Sequence, residues 1–313
     1  MIVPVHNGHR YLGDCLESLR AQTLKACELI VVDDGSTDGT EHIAREMGVL
    51  VLTIPHSGRA AARNAGLQYA HAETVVFAED DAIYPPTYLD ALEAGMRQEG
   101  AHAAIGPYYV YQPRTFVQRC RDLERRLHFR QYKPFSAWAF NTQVLRSLGA
   151  YDETLEMAED VELGRRLTRA GYRIAFVPAA LWYHREPATI GAFLRRRYRA
   201  GKGSGVFKRR AGAPLVPRRA LLMAGTVSAP LFVVLVKGAS STAVLAGACI
   251  VGLLSPLALG IRFVTQALAT RSSLSYAVGW CYLEALGWIA AAAGTVTGLL
   301  KGAETVRAEL MGR

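Results

Sequence analysis

Hydrophobic and polar positions over the first 184 residues switch repeatedly between strand and helix periods. Residues 2–5 form a short apolar strand pattern, after which Leu12, Leu16 and Leu19 recur at helical spacing. Residues 28–32 read as a buried strand. Asp38, with Glu41 three residues later, has the form of a capping box opening the next helix. Residues 49–54 predict a third strand, the Ala-rich stretch 59–70 a helix, and residues 74–78 a fourth strand. Strands alternating with helices of this kind predict βαβ units and a doubly wound α/β fold, with a mostly parallel sheet covered on both faces. Ligands in such sheets bind beyond the carboxyl ends of the strands.

The last third follows a different pattern. Residues 220–236 are 17 uncharged positions, residues 240–261 are 22, and residues 274–300 are 27 with the single charge Glu284. A membrane-crossing helix needs about 20 apolar residues. The second and third runs meet that length. The first is short and contains Pro230, so it is expected to be tilted, re-entrant or interfacial if it does not span. Core helices of a soluble protein are a poorer reading, because three such runs leave almost no polar face for water. Two to three transmembrane helices are therefore expected in residues 220–313. Ala290, Gly294 and Gly298, four apart, predict close helix packing. Glu284 is expected to be paired or interfacial.

Composition sharpens this division. Half of the 313 residues are hydrophobic and 20% are charged, which excludes a disordered chain. Five cysteines without metal-ligand spacing exclude a disulfide-stapled module and are expected to be reduced and structural. The net charge of +9 is local. Residues 1–184 carry 19 basic and 23 acidic side chains, residues 185–219 carry 11 and one, and residues 220–313 carry six and three. A nucleic-acid-binding globule would spread its basic charge over the folded domain, so no nucleic-acid partner is expected. Ten basic residues from Arg195 to Arg219 directly precede the first apolar run. They place the N-terminal part on the cytoplasmic side of a membrane. The absence of a charged n-region and a long apolar h-region after Met1 agrees with that side.

Candidate chemistry gathers at strand ends. Asp33 and Asp34 end the second strand, and Glu79, Asp80 and Asp81 follow the fourth. Adjacent carboxylates repel unless a cation or donors meet them, and a hard divalent cation would also bind a diphosphate. Between these clusters, Arg59 and Arg63 lie four apart on one helix face, where guanidinium groups could hold phosphate oxygens. Glu159 and Asp160 open a later helix; acids there also suit a plain cap. His184 ends a further strand and could complete an oxygen-rich metal site.

Taken in order, PVHNG, VVDDGSTDGT, SGRAAARNAG, FAEDD, the stretch containing EMAEDVELGRR, and WYH resemble the family 2 glycosyltransferases, which have a GT-A fold. The resemblance covers about residues 1–205, followed by a basic linker at 206–219. It implies that Pro4 and Asn7 lie next to a nucleotide, and that Asp33 and Asp34 bind the base and ribose of a nucleotide-sugar donor. Arg63 is implied near the donor, and Asp81, with Glu79 or Asp80, in a DxD motif holding Mg²⁺ or Mn²⁺. It further implies Asp160 of the ED pair as the catalytic base, and His184 as a further metal ligand. The chain departs from the family pattern in having Glu79 at the first DxD position and His6 where Tyr is usual. It also lacks the QxxRW motif of processive synthases; Arg196 and Arg197, in RRRYRAGKGS, occupy that place and are expected to bind substrate. The implied reaction is a single inverting sugar transfer from a nucleoside-diphosphate sugar to a lipid-linked or cell-envelope glycan acceptor at the cytoplasmic membrane. Polyprenyl phosphate is an alternative acceptor. A non-catalytic membrane scaffold on the same fold is the competing class.

Overall fold

The computed structural model describes residues 1–131, 136–210, 261–269 and 273–311. Two compact units divide it: residues 1–112 with 129–185, and residues 113–128 with 186–313.

The first unit is α/β. Three parallel strands, β1 (Ile2–Val5), β2 (Ile30–Asp34) and β3 (Leu50–Ile54), pair in the order β1-β2-β3. A parallel bridge between Ile2 and Phe77 attaches β4 (Thr74–Val76) to the free side of β1. β4 then pairs with β8 (Ala139–Asn141), β8 with β6 (Ala103–Ile105), and β6 with β9 (Ile174–Phe176). Only β8 runs against the rest. A small second sheet has the order β5-β10-β7, from Ala82–Ile83, Trp182–His184 and Tyr108–Val110.

Alternation along the strands explains the two cores. Ile2, Ile30 and Val32 face one side and Val3, Val5 and Val31 the other, all nearly inaccessible. Period-two side chains buried on both faces are the mark of a sheet covered twice. One face packs α1 (Leu12–Arg20) and α4 (Tyr88–Glu99) through Leu12, Leu16, Leu19 and Leu92. The other packs α3 (Arg59–Tyr69), α6 (Thr142–Ser147) and α7 (Glu159–Arg169) through Leu67, Leu145, Leu163 and Leu167. α3 approaches closely because Gly66 has no side chain: a Cβ there would stand 2.5 Å from Ile2 Cγ2.

The capping box expected at Asp38 does not form. α2 (Thr40–Glu46) begins after Gly39, a glycine with positive φ. Asp38 instead accepts from His9 N and Thr40 N, while Glu41 pairs with Arg45 and takes the Thr53 hydroxyl. A competing partner on a neighbouring strand has captured the N3 carboxylate.

The second unit is helical: α5 (Phe116–His128), α8 (Ile190–Arg210), α9 (Ile261–Ala269) and α10 (Leu274–Met311). The boundary expected at residue 205 thus falls inside α8. Within α10, Leu274–Thr297 is long and apolar enough to cross a membrane by length and composition, and 39% of its most apolar window is buried against the protein. It is one such helix among the described residues, so a multi-pass arrangement is not what they display. Residues 220–236 and nearly all of 240–261 lie outside them. The small-residue spacing does mark close packing: a Cβ on Gly294 would stand 2.0 Å from the Tyr198 carbonyl oxygen of α8.

Candidate active site

Three loops meet beyond the carboxyl ends of β1, β2 and β3. Asp33 Oδ1 accepts from Ser36 N at 2.9 Å. Asp34 reaches toward α3, its oxygens accepting from Ser57 N at 2.6 Å and Gly58 N at 2.9 Å. Its charge therefore sits at the positive end of that helix dipole. Asn7 has a left-handed backbone (φ 55°) and accepts from Thr37 N through Oδ1 at 2.9 Å. The rings of His6 and His56 stack with centroids 4.1 Å apart, and each Nδ1 lies near the Asp34 carbonyl oxygen, at 2.8 and 3.1 Å. Pro4 is a β1 residue opposite Val32. Pro4, Asn7, Asp33 and Asp34 therefore lie at one rim of the sheet. Both aspartates, however, are buried and hydrogen-bonded to loop amides, so in this conformation they shape the rim rather than offer free carboxylates.

The second cluster forms where β4 ends. β10 pairs antiparallel with β5, setting His184 opposite Ala82. This register brings His184 Nε2 to 3.0 Å from Glu79 Oε2 and 3.3 Å from Asp81 Oδ1. Burial disfavours a charged imidazole, but Asp81 and Glu79 outweigh it and push His184 up to about 10. Asp80 is pushed up to about 7, by burial first and then by Asp81 and Glu79. One nitrogen and two carboxylates, each offering a ligand atom within 4.8 Å of the others, fit a divalent cation. The crowding of negative charge that drives a proton onto His184 is what such an ion would relieve. Oxygen ligands suit Mg²⁺ and Mn²⁺.

The third element is the start of α7. Ala158, just before it, is left-handed (φ 67°), a strained conformation for a residue with a Cβ. Glu159 is buried and takes Arg63 Nη1 at 2.6 Å, with Arg59 Nε at 4.0 Å. The Arg63 guanidinium also lies over Trp138 at 5.1 Å and Tyr151 at 5.0 Å. Arg63 is 2% exposed. The resemblance implies this arginine near the donor; in the structure its guanidinium is paired with Glu159. Burial works against that charge, while Tyr151, Glu159 and Glu79 raise its pKa. The carboxylate of Glu159 is correspondingly occupied by an ion pair in this geometry. Asp160 is held above the usual aspartate range by burial first and by Glu159 second, with Arg63 opposing. A carboxylate with raised basicity is suited to accept a proton.

Arg196 and Arg197, expected to bind substrate, are engaged elsewhere. In the second unit Arg196 Nη1 pairs with Glu186 Oε2 at 3.1 Å, and Arg197 Nη2 with Glu284 Oε1 at 3.0 Å. Glu284 is paired, as its solitary position in an apolar run predicts. Sequence reasoning missed Trp138 and Tyr151, which wall Arg63, because single aromatic residues carry no signal of their partner. It also missed Arg185, which follows His184. Arg185 pairs with Asp14 and lies over Tyr11 and Tyr111, both at 4.7 Å. Its adjacency to His184 was the available clue.

Comparison with known proteins decides the family. The model of glycosyl transferase family 2 matches residues 1–146, and that of glycosyl transferase family group 2 matches residues 74–292. The chain belongs to the family 2 glycosyltransferases. It is 35% identical over 116 residues to glycosyltransferase GlyA of Streptococcus pneumoniae, covering 36% of this chain and 17% of that protein. It is 29% identical over 215 residues to the pre-mycofactocin glycosyltransferase of Mycobacterium tuberculosis, covering 63% and 44%. The chain thus spans less than half the length of these relatives. Among solved structures, S. aureus TarS 1–349 in complex with UDP is similar at 16% identity and a TM-score of 0.49, covering 91% and 88%. The sheet of this family 2 member, with β8 alone antiparallel, has the mostly parallel GT-A architecture that its sequence predicts.

Proposed function

We propose that this family 2 glycosyltransferase moves a single sugar, with inversion, from a nucleoside-diphosphate sugar to a lipid-linked or cell-envelope glycan acceptor. The observation that carries the reading is the unequal pair at the start of α7. Glu159 is neutralised by Arg63, while Asp160 has no ion-pair partner within 4 Å among the described residues and is raised in basicity. Asp160 takes the proton of the acceptor hydroxyl as the hydroxyl oxygen attacks the anomeric carbon from the face opposite the leaving nucleoside diphosphate. General-base help of this kind is worth about 10²–10⁴ in rate. Asp33, Asp34, Asn7 and Pro4 form the rim at which the nucleoside is bound, with Arg59 at the helix N-terminus near the phosphates. Glu79, Asp81 and His184 would hold Mg²⁺ or Mn²⁺, which would supply stabilisation of negative charge on the leaving diphosphate. Asp80 adds negative charge beside them.

The second unit attaches the enzyme to a membrane, with the first unit on the cytoplasmic side. Its basic helix α8 and the apolar stretch Leu274–Thr297 of α10 support that reading. The test is a panel of nucleotide sugars with the full chain in detergent, with Mg²⁺ or Mn²⁺ supplied. Asp160→Asn is expected to abolish transfer and to leave donor binding intact. Loss of donor binding in this variant would move Asp160 to the donor site. Full-rate transfer by Asp81→Ala would remove the cation from the reading.

A further inference from the structure

Four arginines on one stretch of α8 fall into two sets. Arg196 and Arg197 are bound to Glu186 and Glu284. Arg195 and Arg199 are exposed and have no carboxylate within 4 Å among the described residues. They are four apart, hence one above the other on the same helix face, separated by about 6 Å of rise. Between α8 and α10 they line a groove of about 660 Å³ whose other walls are Leu194, Tyr198 and Ala290. The groove belongs wholly to the second unit.

We propose that this groove binds the phosphate head of a long-chain lipid acceptor. Its chemistry is divided as such a molecule is divided. Two free guanidinium groups a helical turn apart match phosphate oxygens, which arginine grips through paired N–H donors. Leu194 and Ala290 carry no side-chain donor, the Tyr198 hydroxyl donates to Thr297 Oγ1 at 3.0 Å, and the aliphatic and ring surfaces suit hydrocarbon. On α10, Leu286, Ile289 and Val296 are 44%, 43% and 53% exposed, and their spacing sets them along one side of the helix. A small soluble anion would use the guanidinium groups and leave the apolar walls wet, so charge and apolar surface together select a lipid phosphate. The groove exists because glycines bring the helices together: a Cβ on Gly201 would stand 2.0 Å from the Ala291 carbonyl oxygen. The proposal deepens the functional reading above by naming the acceptor class, and rests on that reading only in calling the lipid an acceptor.

The test measures binding by the full chain in detergent, without donor, of a polyprenyl phosphate, the corresponding polyprenol and inorganic phosphate. Vesicles of phosphatidylglycerol are added as competitor. The polyprenyl phosphate is expected to bind at least tenfold more tightly than either fragment, and to keep its site against the vesicles. Arg195→Gln/Arg199→Gln is expected to weaken it at least tenfold. Arg45→Gln/Arg97→Gln, which removes the same charge from the first unit, is expected to bind as wild type. Equal binding of the polyprenol, complete displacement by phosphatidylglycerol, or unchanged affinity in the Arg195/Arg199 variant overturns the proposal. Metal-dependent turnover of the donor, assayed on the same variants, reports separately on the functional reading. If turnover persists while lipid binding fails, the groove is wrong and the transferase stands.

Discussion

The Arg63–Glu159 pair gives the sharpest prediction. At 2.6 Å, and with an effective dielectric constant of about 20, the attraction is about 6 kcal/mol. Both side chains are about 3% exposed, so desolvation of several kcal/mol per ion cancels most of it. The intact pair therefore adds little net stability. Removing one member is a different matter, since it strands the other charge in the interior. Arg63→Met is expected to cost about 3–5 kcal/mol, and Glu159→Leu a similar amount. At roughly 2–4 °C per kcal/mol for a unit of this size, each lowers the melting temperature by roughly 6–20 °C. The double variant Arg63→Met/Glu159→Leu leaves no stranded charge, and its cost is expected to fall at least about 2 kcal/mol short of the sum of the singles. Thermal and urea unfolding of all four proteins in one detergent measure the cycle. Additive costs, or single variants that melt within 2 °C of wild type, would refute the reasoning, because they would mean that Glu159 is hydrated and not locked.

Three further outcomes are expected. The raised pKa of Asp160 penalises its ionised form in the folded chain, so its contribution favours folding near and below pH 3.8 and is lost as pH rises through the folded value. Asp160→Asn should therefore melt higher than wild type at pH 7 and show no such gain below pH 4, as calorimetry across pH will tell. In the proposed reaction the same carboxylate is expected to set the acid limb of kcat/KM above the usual aspartate range, and Arg63→Met should move that limb upward, because Arg63 opposes the rise. Gly201→Ala pushes a Cβ against the Ala291 carbonyl; it should lower stability by about 1–3 kcal/mol in denaturant melts while leaving the donor Kd of the first unit unchanged.

Legibility from sequence followed the range of the interaction. Strands β1 to β4 and helices α1 and α3 were readable because period-two and helical patterns are local, and because both faces of the sheet are buried. The rim residues Asp33, Asp34, Glu79 and Asp81 were readable because acids directly after a buried strand are conspicuous. What those carboxylates bind was not, since Asp34 to Ser57 and Glu159 to Arg63 are tertiary contacts across 23 and 96 residues. The arginines of α8 show the same limit. A run of like charges reads as one basic surface, and only the positions of Glu186 and Glu284 divide it into paired and free members.

α5 leaves the first unit after Gln112 and the chain returns to it at Phe129, so the two units are joined at three points. Val117, Cys120, Leu123 and Leu127 of α5 find their apolar partners in Phe193, Trp280, Leu283, Ala267 and Ala277, all supplied by the C-terminal region. Cutting after Arg185 would therefore leave a bare hydrophobic stripe in the middle of the remaining chain. The helices of the second unit are not a detachable cassette that gene fusion could append to, or strip from, a finished transferase. Their loss is expected to lower the solubility of the first unit, and a water-soluble version of that unit would have to delete residues 113–128 together with everything after residue 185.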